Sequence, residues 1–345
     1  MKKHSAVFSF IIIGLAVLFL ADLCRVIFLP LKPEDITDKR FTLDCDIRIP
    51  PLEERMQWNT NYKLNSLGLR NEEVPRTQGA KEVRILFMGD SCAFGTQAWV
   101  GQSQTYPKIC GKLLQTEFPS LKITAINGGL PGYSSFQGYR LLKILEPAYH
   151  PDIVTVCYGW NDHWEDRFSD RQKVFLNYAD YYLNKSAAFY ILKLVVKGSG
   201  DFIRPLRFSR LWESVKAKDV IRVSPDEYRE NISNIIGLCR AKHIKVVLFT
   251  APSNPDGAVP GEGFFETQPF RSFARHPAYN EIVRELARRH STGLFDLDAA
   301  IEAMPYRRQF FADFAHFNGR GHELVARLFL KYAEKEKLVS LPVWQ

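Results

Sequence analysis

Several features that would assign this chain to a specialised class are missing from its 345 residues. No two of the six cysteines have the C-x-x-C spacing that is typical of structural zinc sites, and six are too few for a disulfide scaffold of this length. No long run of like charges occurs, so the formal net charge of +8 is diffuse and indicates no nucleic-acid partner. With 46% hydrophobic residues and no collagen-like or coiled-coil bias, the sequence predicts an ordered globular chain of one large domain or two small ones.

The amino terminus contains a long uncharged segment. Residues 6–21 carry no charge and follow Lys2 and Lys3, and a second apolar run, residues 26–29, ends before Pro30. Together they reach the length of about 20 apolar residues that spans a bilayer. We therefore predict a single transmembrane anchor over residues 1–30, with the rest of the chain on the extracytoplasmic (periplasmic) side. The alternatives are a cleaved signal peptide, although no A-x-A-like site follows, and a buried core helix, although the segment has no polar face.

After the anchor, the chain changes character twice. Residues 31–80 are polar and contain prolines, and we interpret them as a linker and a collar that packs on the main domain. Residues 81–345 form the main domain, in which short apolar runs alternate with amphipathic ones. The predicted strands are 83–88, 121–126, 153–158, 245–250 and 293–297, and the predicted helices are 104–116, 134–147, 225–243, 278–291 and 320–336.

Strands that are apolar throughout and are separated by helices indicate a parallel sheet with both faces covered. The fold class predicted is a three-layer α/β/α domain with about five parallel strands, preceded by the transmembrane helix. Ligands of such domains bind beyond the carboxyl ends of the strands, so the search for functional residues concentrates there.

A serine follows the first predicted strand. Gly89-Asp90-Ser91 places the Ser91 hydroxyl at a strand-to-helix turn, where helix N–H groups are able to bind an oxyanion. Asp and Ser are also ordinary helix caps, so the motif alone leaves a structural role open.

The next two strands end in residues suited to binding negative charge. Asn127 to Gly132 is a glycine-rich segment with backbone N–H groups close to a strand end, and Gly159-Trp160-Asn161-Asp162 supplies an amide. A tight turn for the first segment and an Asx turn for the second are the structural alternatives.

A candidate base comes from a local pattern among the histidines. Only His316 has an acidic residue three positions before it, Asp313. A serine nucleophile needs an imidazole to accept its proton and a carboxylate to hold the imidazole tautomer. His163 and His322 are close to the motifs in sequence and are secondary candidates, although packing explains them equally well.

These four blocks, in this order and at these strand ends, resemble the SGNH or GDSL hydrolase superfamily of esterases over residues 81–337. The resemblance implies a flavodoxin-like fold, no cofactor and no metal. It implies that Ser91, Asp313 and His316 are the catalytic triad, and that Ser91, Gly132 and Asn161 form the oxyanion hole. Supporting positions would be Gly89, Asp90, Gly159 and Asp162. Tyr133 departs from the small or acidic residue of many members.

The segment from Trp164 to Arg222 is much longer than one crossover helix requires. It has a net charge of +5 and many aromatic residues, which predicts either a helical cap with its own small core or a lid facing an anionic substrate.

The function predicted is therefore a membrane-anchored extracytoplasmic serine esterase acting on an ester-bearing small molecule, lipid or glycan. Its alternatives are an O-acyltransferase that modifies an envelope polysaccharide and an inactive binding or scaffold protein. No nucleic-acid partner is expected.

Overall fold

The structure is a computed structural model that describes residues 12–14, 16–24, 62–96, 100–176, 186, 219–254 and 268–339. Most of the predicted insertion, the greater part of the predicted linker, and both ends of the predicted anchor lie outside these residues.

A parallel sheet of five strands forms the centre of the fold, and all five strands predicted from the sequence are confirmed. In chain order the strands are β1 (Glu82–Gly89), β2 (Lys122–Gly129), β3 (Ile153–Cys157), β4 (Glu165–Asp166), β5 (Val220–Ile221), β6 (Lys245–Phe249) and β7 (Gly293–Phe295). The sheet has the order β2-β1-β3-β6-β7, while β4 and β5 form a separate antiparallel pair. Every residue of β1 and β3 is buried, including the charged Glu82 and Arg84 at the start of β1, and the remaining residues are mostly apolar, as in strands that are covered on both faces.

Helices cover both faces of the sheet. They are α1 (Ser91–Phe94), α2 (Tyr106–Glu117), α3 (Ser135–Tyr149), α4 (Pro225–Ala241), α5 (Gln268–His290), α6 (Leu297–Glu302) and α7 (Gly319–Lys335), with 3-10 turns at Gln102–Gln104 and Arg307–Phe310. Helices α2 and α7 pack against each other, and α4 packs against both α3 and α5. This is the three-layer α/β/α architecture predicted from the sequence.

Two helix starts show what local sequence does and does not determine. Helix α4 begins as predicted, because Ser224 accepts a hydrogen bond from the Glu227 N–H and Pro225 occupies the first turn. Helix α5 begins at Gln268, ten residues before the predicted start, and contains Pro277. A proline normally ends a helix in a sequence-based prediction, but here helix packing outweighs its local cost.

The strand order places a switch point at β1. The chain moves from β1 outward to β2 on one side and then crosses to β3 on the other. Loops that leave the carboxyl ends of β1 and β3 therefore diverge there and leave a crevice, which is where α/β domains bind ligands.

The chain forms two compact units, one of Met1–Ile47 with Arg167–Asp219 and the other of Arg48–Asp166 with Val220–Gln345. In the first unit, residues 170–176 are helical and Ser186 Oγ donates a hydrogen bond to Asp22 Oδ2 at 2.5 Å. Residues 12–14 and 16–24 are also helical. Within the described stretches, no helix combines the length and the apolar character that crossing a bilayer requires.

Candidate active site

Ser91 is the first residue of the short helix that follows β1. Gly89 ends the strand, and the Asp90 side chain caps α1 by accepting a hydrogen bond from the Cys92 N–H at 2.9 Å. A Cβ atom at Gly89 would lie 2.8 Å from the Ala93 Cβ and 3.1 Å from the Cys157 carbonyl oxygen. Because only glycine permits this close approach, Gly89 lets α1 turn back over the sheet and leaves the Ser91 hydroxyl at its rim.

Ser91, His316 and Asp313 form a continuous hydrogen-bonded chain. The Ser91 Oγ lies 2.7 Å from the His316 Nε2, and the His316 Nδ1 lies 2.7 Å from the Asp313 Oδ2. A carboxylate only accepts, so His316 carries its proton on Nδ1 and offers an unprotonated Nε2 to the Ser91 hydroxyl. Ser91 and His316, which are 225 residues apart in the sequence, thus meet, and together with Asp313 they have the geometry of a nucleophile, a base and an orienting acid.

The loop that carries Asp313 and His316 is closed at its base. Phe311 and Phe317 form an isolated β-bridge, and the Ala312 N–H donates to the His316 carbonyl oxygen at 2.8 Å. Inside the loop, the Asp313 Oδ1 accepts hydrogen bonds from the backbone N–H groups of Ala315 (2.8 Å) and His316 (2.7 Å). Both carboxylate oxygens are therefore held, and the imidazole is aligned before any substrate arrives.

Burial and pairing act in opposite directions on these two groups. Burial disfavours the charged forms of both. For Asp313 the hydrogen bonds from His316 and from the backbone outweigh burial and hold its pKa below the usual value. For His316 burial is outweighed by the hydrogen bond and the charge of Asp313, together with the charge of Asp90, so its pKa is raised above that of free imidazole.

Asn161 lies next to the other two predicted oxyanion donors. Its Nδ2 donates to the Tyr133 carbonyl oxygen at 3.1 Å and lies 3.4 Å from the Asp90 Oδ2. The backbone N–H groups of Ser91 and Gly132 donate no hydrogen bond within the described chain, so both remain available to an oxyanion. The Asn161 amide thus contacts Tyr133 and Asp90, the residues that follow Gly132 and precede Ser91 in the chain.

The supporting positions around Asn161 have structural roles that the contacts explain. Gly159 has a φ of 141°, a backbone conformation that side-chain-bearing residues rarely adopt, and its carbonyl accepts from the Asp162 N–H at 3.1 Å. The buried Asp162 Oδ1 accepts from the Ser135 N–H (2.9 Å) and the Ser135 Oγ (2.6 Å). Asp162 therefore ties the Asn161 turn to the start of α3.

The two secondary histidine candidates are buried, and the hydrogen bonds of their rings are made to residues other than Ser91, His316 and Asp313. The His163 Nε2 lies 2.9 Å from the His276 Nδ1, and the His276 Nε2 donates to the Ala251 carbonyl oxygen at 2.6 Å. Burial lowers the pKa of His276 to about 4 and that of His163 well below its ordinary value. His322 accepts from the Tyr106 N–H at 3.1 Å, and burial lowers its pKa to about 3. All three are neutral packing residues, which agrees with the structural interpretation of His163 and His322.

Sequence reasoning missed three polar residues near the site. Arg222 donates to the Gly132 carbonyl oxygen at 3.0 Å and thereby holds the glycine segment. Arg70 and Asn71 precede β1 and are almost completely buried, at 1% exposure each. No local pattern singles them out, because the contacts that define them are made to segments distant in the chain.

A surface pocket of about 760 Å³ lies beside the residues that precede Asp313, with Glu302, Tyr306, Arg308 and Asn318 among its lining residues. Neither Ser91 nor His316 lines it. The pocket is therefore a separate feature from the crevice at the end of β1.

A hydrogen-bonded Ser–His–Asp chain thus lies at the carboxyl edge of a parallel sheet that helices cover on both faces, an arrangement that serine hydrolases use. The sequence model of the GDSL-like lipase/acylhydrolase family matches residues 87–324, and the chain belongs to that family. It is thus an ester-hydrolysing enzyme, and the family resemblance seen in the sequence is confirmed. No match is found among curated proteins.

The chain is also similar to solved structures of lipases and esterases. A lipase/acylhydrolase from Enterococcus faecalis is 18% identical, covers 74% of this chain and 96% of its own, and has a TM-score of 0.46. A putative GDSL-like lipase from Parabacteroides merdae is 17% identical, with 75% and 99% covered and a TM-score of 0.47. An acetylxylan esterase from Geobacillus stearothermophilus is 20% identical, with 72% and 93% covered and a TM-score of 0.43.

Proposed function

We propose that the protein is a membrane-anchored, extracytoplasmic serine esterase that works through an acyl-enzyme formed on Ser91. The observation that carries the proposal is the unbroken chain of two 2.7 Å contacts from the Ser91 Oγ through His316 to Asp313. Both contacts lie within hydrogen-bonding distance without any rearrangement, so the nucleophile, base and orienting acid are assembled in the free enzyme.

In the first half-reaction, the Ser91 Oγ attacks the carbonyl carbon of the ester while the His316 Nε2 takes the hydroxyl proton. The resulting imidazolium is stabilised by Asp313, whose lowered pKa keeps it ionised. When the tetrahedral intermediate collapses, His316 returns the proton to the leaving alkoxide and the acyl group remains on Ser91.

The backbone N–H groups of Ser91 and Gly132 and the amide of Asn161 donate hydrogen bonds that stabilise the negative charge of the tetrahedral oxygen. Preorganised donors of this kind are each worth on the order of 3 kcal/mol in the transition state. Arg222 supports the arrangement because its guanidinium fixes the Gly132 carbonyl at 3.0 Å.

In the second half-reaction, a water molecule takes the place of the alcohol. His316 removes a proton from the water as its oxygen attacks the acyl carbon; when the second tetrahedral intermediate collapses, the bond between the acyl carbon and the Ser91 Oγ breaks, His316 returns the proton to that oxygen, and the carboxylic acid is released. Each half-reaction leaves His316 neutral, so one imidazole serves both steps.

Exposed apolar side chains near the amino terminus support the anchor. Ile13, Val17, Phe19 and Leu20 are each between 58% and 64% exposed and lie in the helical residues 12–14 and 16–24. An exposed apolar surface of this kind is unfavourable in water and becomes favourable when it contacts lipid. We propose O-acylated glycans or lipids of the cell envelope as substrates, since these esters lie next to an enzyme held at the membrane surface.

The catalytic proposal is tested with a fluorophosphonate probe and a small aryl ester. The purified full-length chain should be labelled and should hydrolyse the ester, Ser91→Ala should lose both properties while remaining folded, and Ser103→Ala, at an exposed serine, should retain both. Hydrolysis retained by Ser91→Ala would overturn the assignment.

Adding a glycan acceptor together with an acyl donor separates the two enzymatic outcomes, because transfer exceeding hydrolysis identifies an acyltransferase.

The proposed location is tested by fractionation. The full-length chain should remain with membranes after an alkaline carbonate wash, whereas a chain that begins at residue 31 should be released. Release of the full-length chain would contradict the anchor.

A further inference from the structure

Residues 65–71, here called the collar turn, form a well-defined structure before β1. The Asn65 Oδ1 accepts from the Leu69 N–H at 2.9 Å, and the Asn71 N–H donates to the Leu69 carbonyl oxygen at 2.8 Å. The Asn65 Nδ2 donates to the Tyr149 hydroxyl at 2.9 Å and thereby docks the turn on the end of α3. The turn is thus fixed to the main domain, and it directs two consecutive side chains, Arg70 and Asn71, into the interior.

Arg70 binds the backbone at the carboxyl end of α1, the helix that begins with Ser91. One guanidinium nitrogen donates to the carbonyl oxygens of Phe94 (3.0 Å) and Gly95, and the other donates to that of Val100. The Arg70 Nε lies 3.3 Å from the Gln102 Oε1, and the guanidinium stacks 4.4 Å from the Tyr62 ring centroid. The guanidinium therefore binds three carbonyl groups, those of Phe94, Gly95 and Val100, in a stretch that begins three residues after Ser91.

The charge of Arg70 is met by carbonyl and amide oxygens, with no carboxylate among its partners in the described chain. Carbonyl oxygens at a helix carboxyl terminus lack intrahelical donors and attract cations, so the guanidinium suits this place. A buried charge is nevertheless costly compared with an apolar side chain of similar size. Packing alone therefore does not explain why a buried arginine charge lies at the carboxyl end of α1.

Asn71 makes a second connection to the same helix. Its amide pairs with the backbone of Asn127 in β2, donating to the carbonyl oxygen at 2.8 Å and accepting from the N–H at 3.0 Å. The Asn127 Nδ2 in turn donates to the Ala93 carbonyl oxygen at 2.8 Å. The collar turn thus binds the Phe94 and Gly95 carbonyl groups directly through Arg70, and through Asn71 it binds the β2 residue that holds the preceding carbonyl group, that of Ala93.

Helix α1 depends on such external support because it is only four residues long. Its backbone bonds are few, with the Phe94 N–H donating to the Asp90 carbonyl oxygen and the Gly95 N–H donating to that of Ser91. A single turn of helix is not stable by itself, since nucleation costs more than so few bonds return. The position of the Ser91 Oγ relative to His316 therefore depends on what holds the end of the turn.

We propose that Arg70 is a positioning residue for the nucleophile. It acts through the Phe94 and Gly95 carbonyl groups to hold α1 so that the Ser91 Oγ and backbone N–H face His316 and the substrate. This inference rests on the proposed esterase function. Arg70 lies before the residues matched by the family model, which begin at residue 87, so the working catalytic unit extends upstream of that match to the collar turn.

The test compares Arg70→Lys with Arg76→Lys. Lysine keeps the charge at position 70 but cannot supply the planar fork, whereas Arg76 is exposed and serves as the matched control. A displacement of about 1 Å at a reacting group costs on the order of 100-fold in rate. We expect Arg70→Lys to lower kcat at least tenfold with KM within twofold of wild type, and to slow fluorophosphonate labelling of Ser91 in parallel. Arg76→Lys should match wild type.

The measurement is made per folded enzyme, well below the melting temperature of each variant, so that lost stability does not mimic a lost rate. Added guanidinium ion at millimolar concentration should restore part of the activity of Arg70→Ala and should leave Arg76→Ala unchanged. A kcat within twofold of wild type in folded Arg70→Lys would overturn the proposal.

A second variant covers the case in which Arg70→Lys does not fold. Tyr62→Leu removes the ring beneath the guanidinium and should lower kcat at least threefold with KM unchanged, while an unchanged kcat in that variant would also overturn the proposal. Absence of labelling and hydrolysis in the wild-type enzyme would instead count against the esterase function, so the two failures are distinguishable.

Discussion

The substitution Asp313→Asn tests whether the carboxylate acts by fixing the tautomer of His316. In the native loop the Asp313 Oδ1 accepts from two backbone N–H groups, those of Ala315 and His316. An asparagine at this position must place its carbonyl oxygen there, because an amide NH2 would oppose those donors. Its NH2 group then faces the His316 Nδ1, 2.7 Å from the present Oδ2, and donates to it.

The consequence is an imidazole with its proton on the wrong nitrogen. His316 would carry the proton on Nε2, directed at the Ser91 Oγ, and would be unable to act as a base. In serine hydrolases an exchange of this kind lowers kcat by about 10⁴-fold, which corresponds to roughly 5.5 kcal/mol of activation free energy. We expect a loss of that order in Asp313→Asn.

The pH profile provides an independent readout. The base must be neutral, so activity in wild type is lost on the acidic side as His316 becomes protonated, and the raised pKa of His316 places that limb above the value of free imidazole. Removing Asp313 removes the largest of the interactions that raise the pKa, so the acidic limb of kcat/KM for the residual activity should move to lower pH.

The assay is steady-state hydrolysis of an aryl ester between pH 5 and pH 9, chosen as roughly the range in which an imidazole titrates. The control is Asp226→Asn, at an exposed position in α4, which should behave as wild type. A loss smaller than tenfold, or an acidic limb that moves to higher pH, would refute the tautomer argument.

Two further predictions concern the oxyanion hole and Glu82, the first residue of β1. Asn161→Ala should lower kcat by about 10²-fold to 10³-fold with little change in KM, because its amide acts on the transition state; a change confined to KM would contradict that role. Burial opposes charge on Glu82, but the Gly79 N–H, Thr124, Arg84 and Lys122 outweigh it and lower its pKa to about 2. Since a lowered pKa stabilises the fold above the unfolded value of 4.5, Glu82→Gln should cost up to about 3 kcal/mol at pH 7. That difference should shrink as the pH falls from 4.5 towards 2, as measured by urea unfolding, and a difference independent of pH would exclude the ionised carboxylate as its source.

The predicted strands and most helices agree with the structure because their signals are local. Mostly apolar runs such as that of β3 indicate strands buried on both faces, and the Ser224 capping box marks a helix start by contacts within one turn. The predicted start of α5 was wrong because that prediction also used a local signal. Pro277 is a local signal for a break, whereas α5 continues through it and packs against α4, β6 and β7, contacts that no local pattern predicts.

The residues of the candidate site separate in the same way. Ser91, His316 and Asp313 stand out because their side chains match a chemical requirement, and the Asp-x-x-His spacing is itself local. Arg70, Asn71 and Arg222 were missed because their partners lie between about 24 and 90 residues away, and the chain between carries no sign of the pairing.

The sequence by itself determined the layered α/β architecture and the family, and it proposed the side chains of the candidate triad, since hydrophobic periodicity and short motifs are carried by neighbouring residues. The tertiary structure alone decided that the Ser91 Oγ and the His316 Nε2 lie 2.7 Å apart, that His163 and His322 are neutral packing residues, and that Arg70 lies beneath the nucleophile helix. The physical reason is that distance, burial and pKa depend on which distant segments the fold brings together, and no local pattern specifies that meeting.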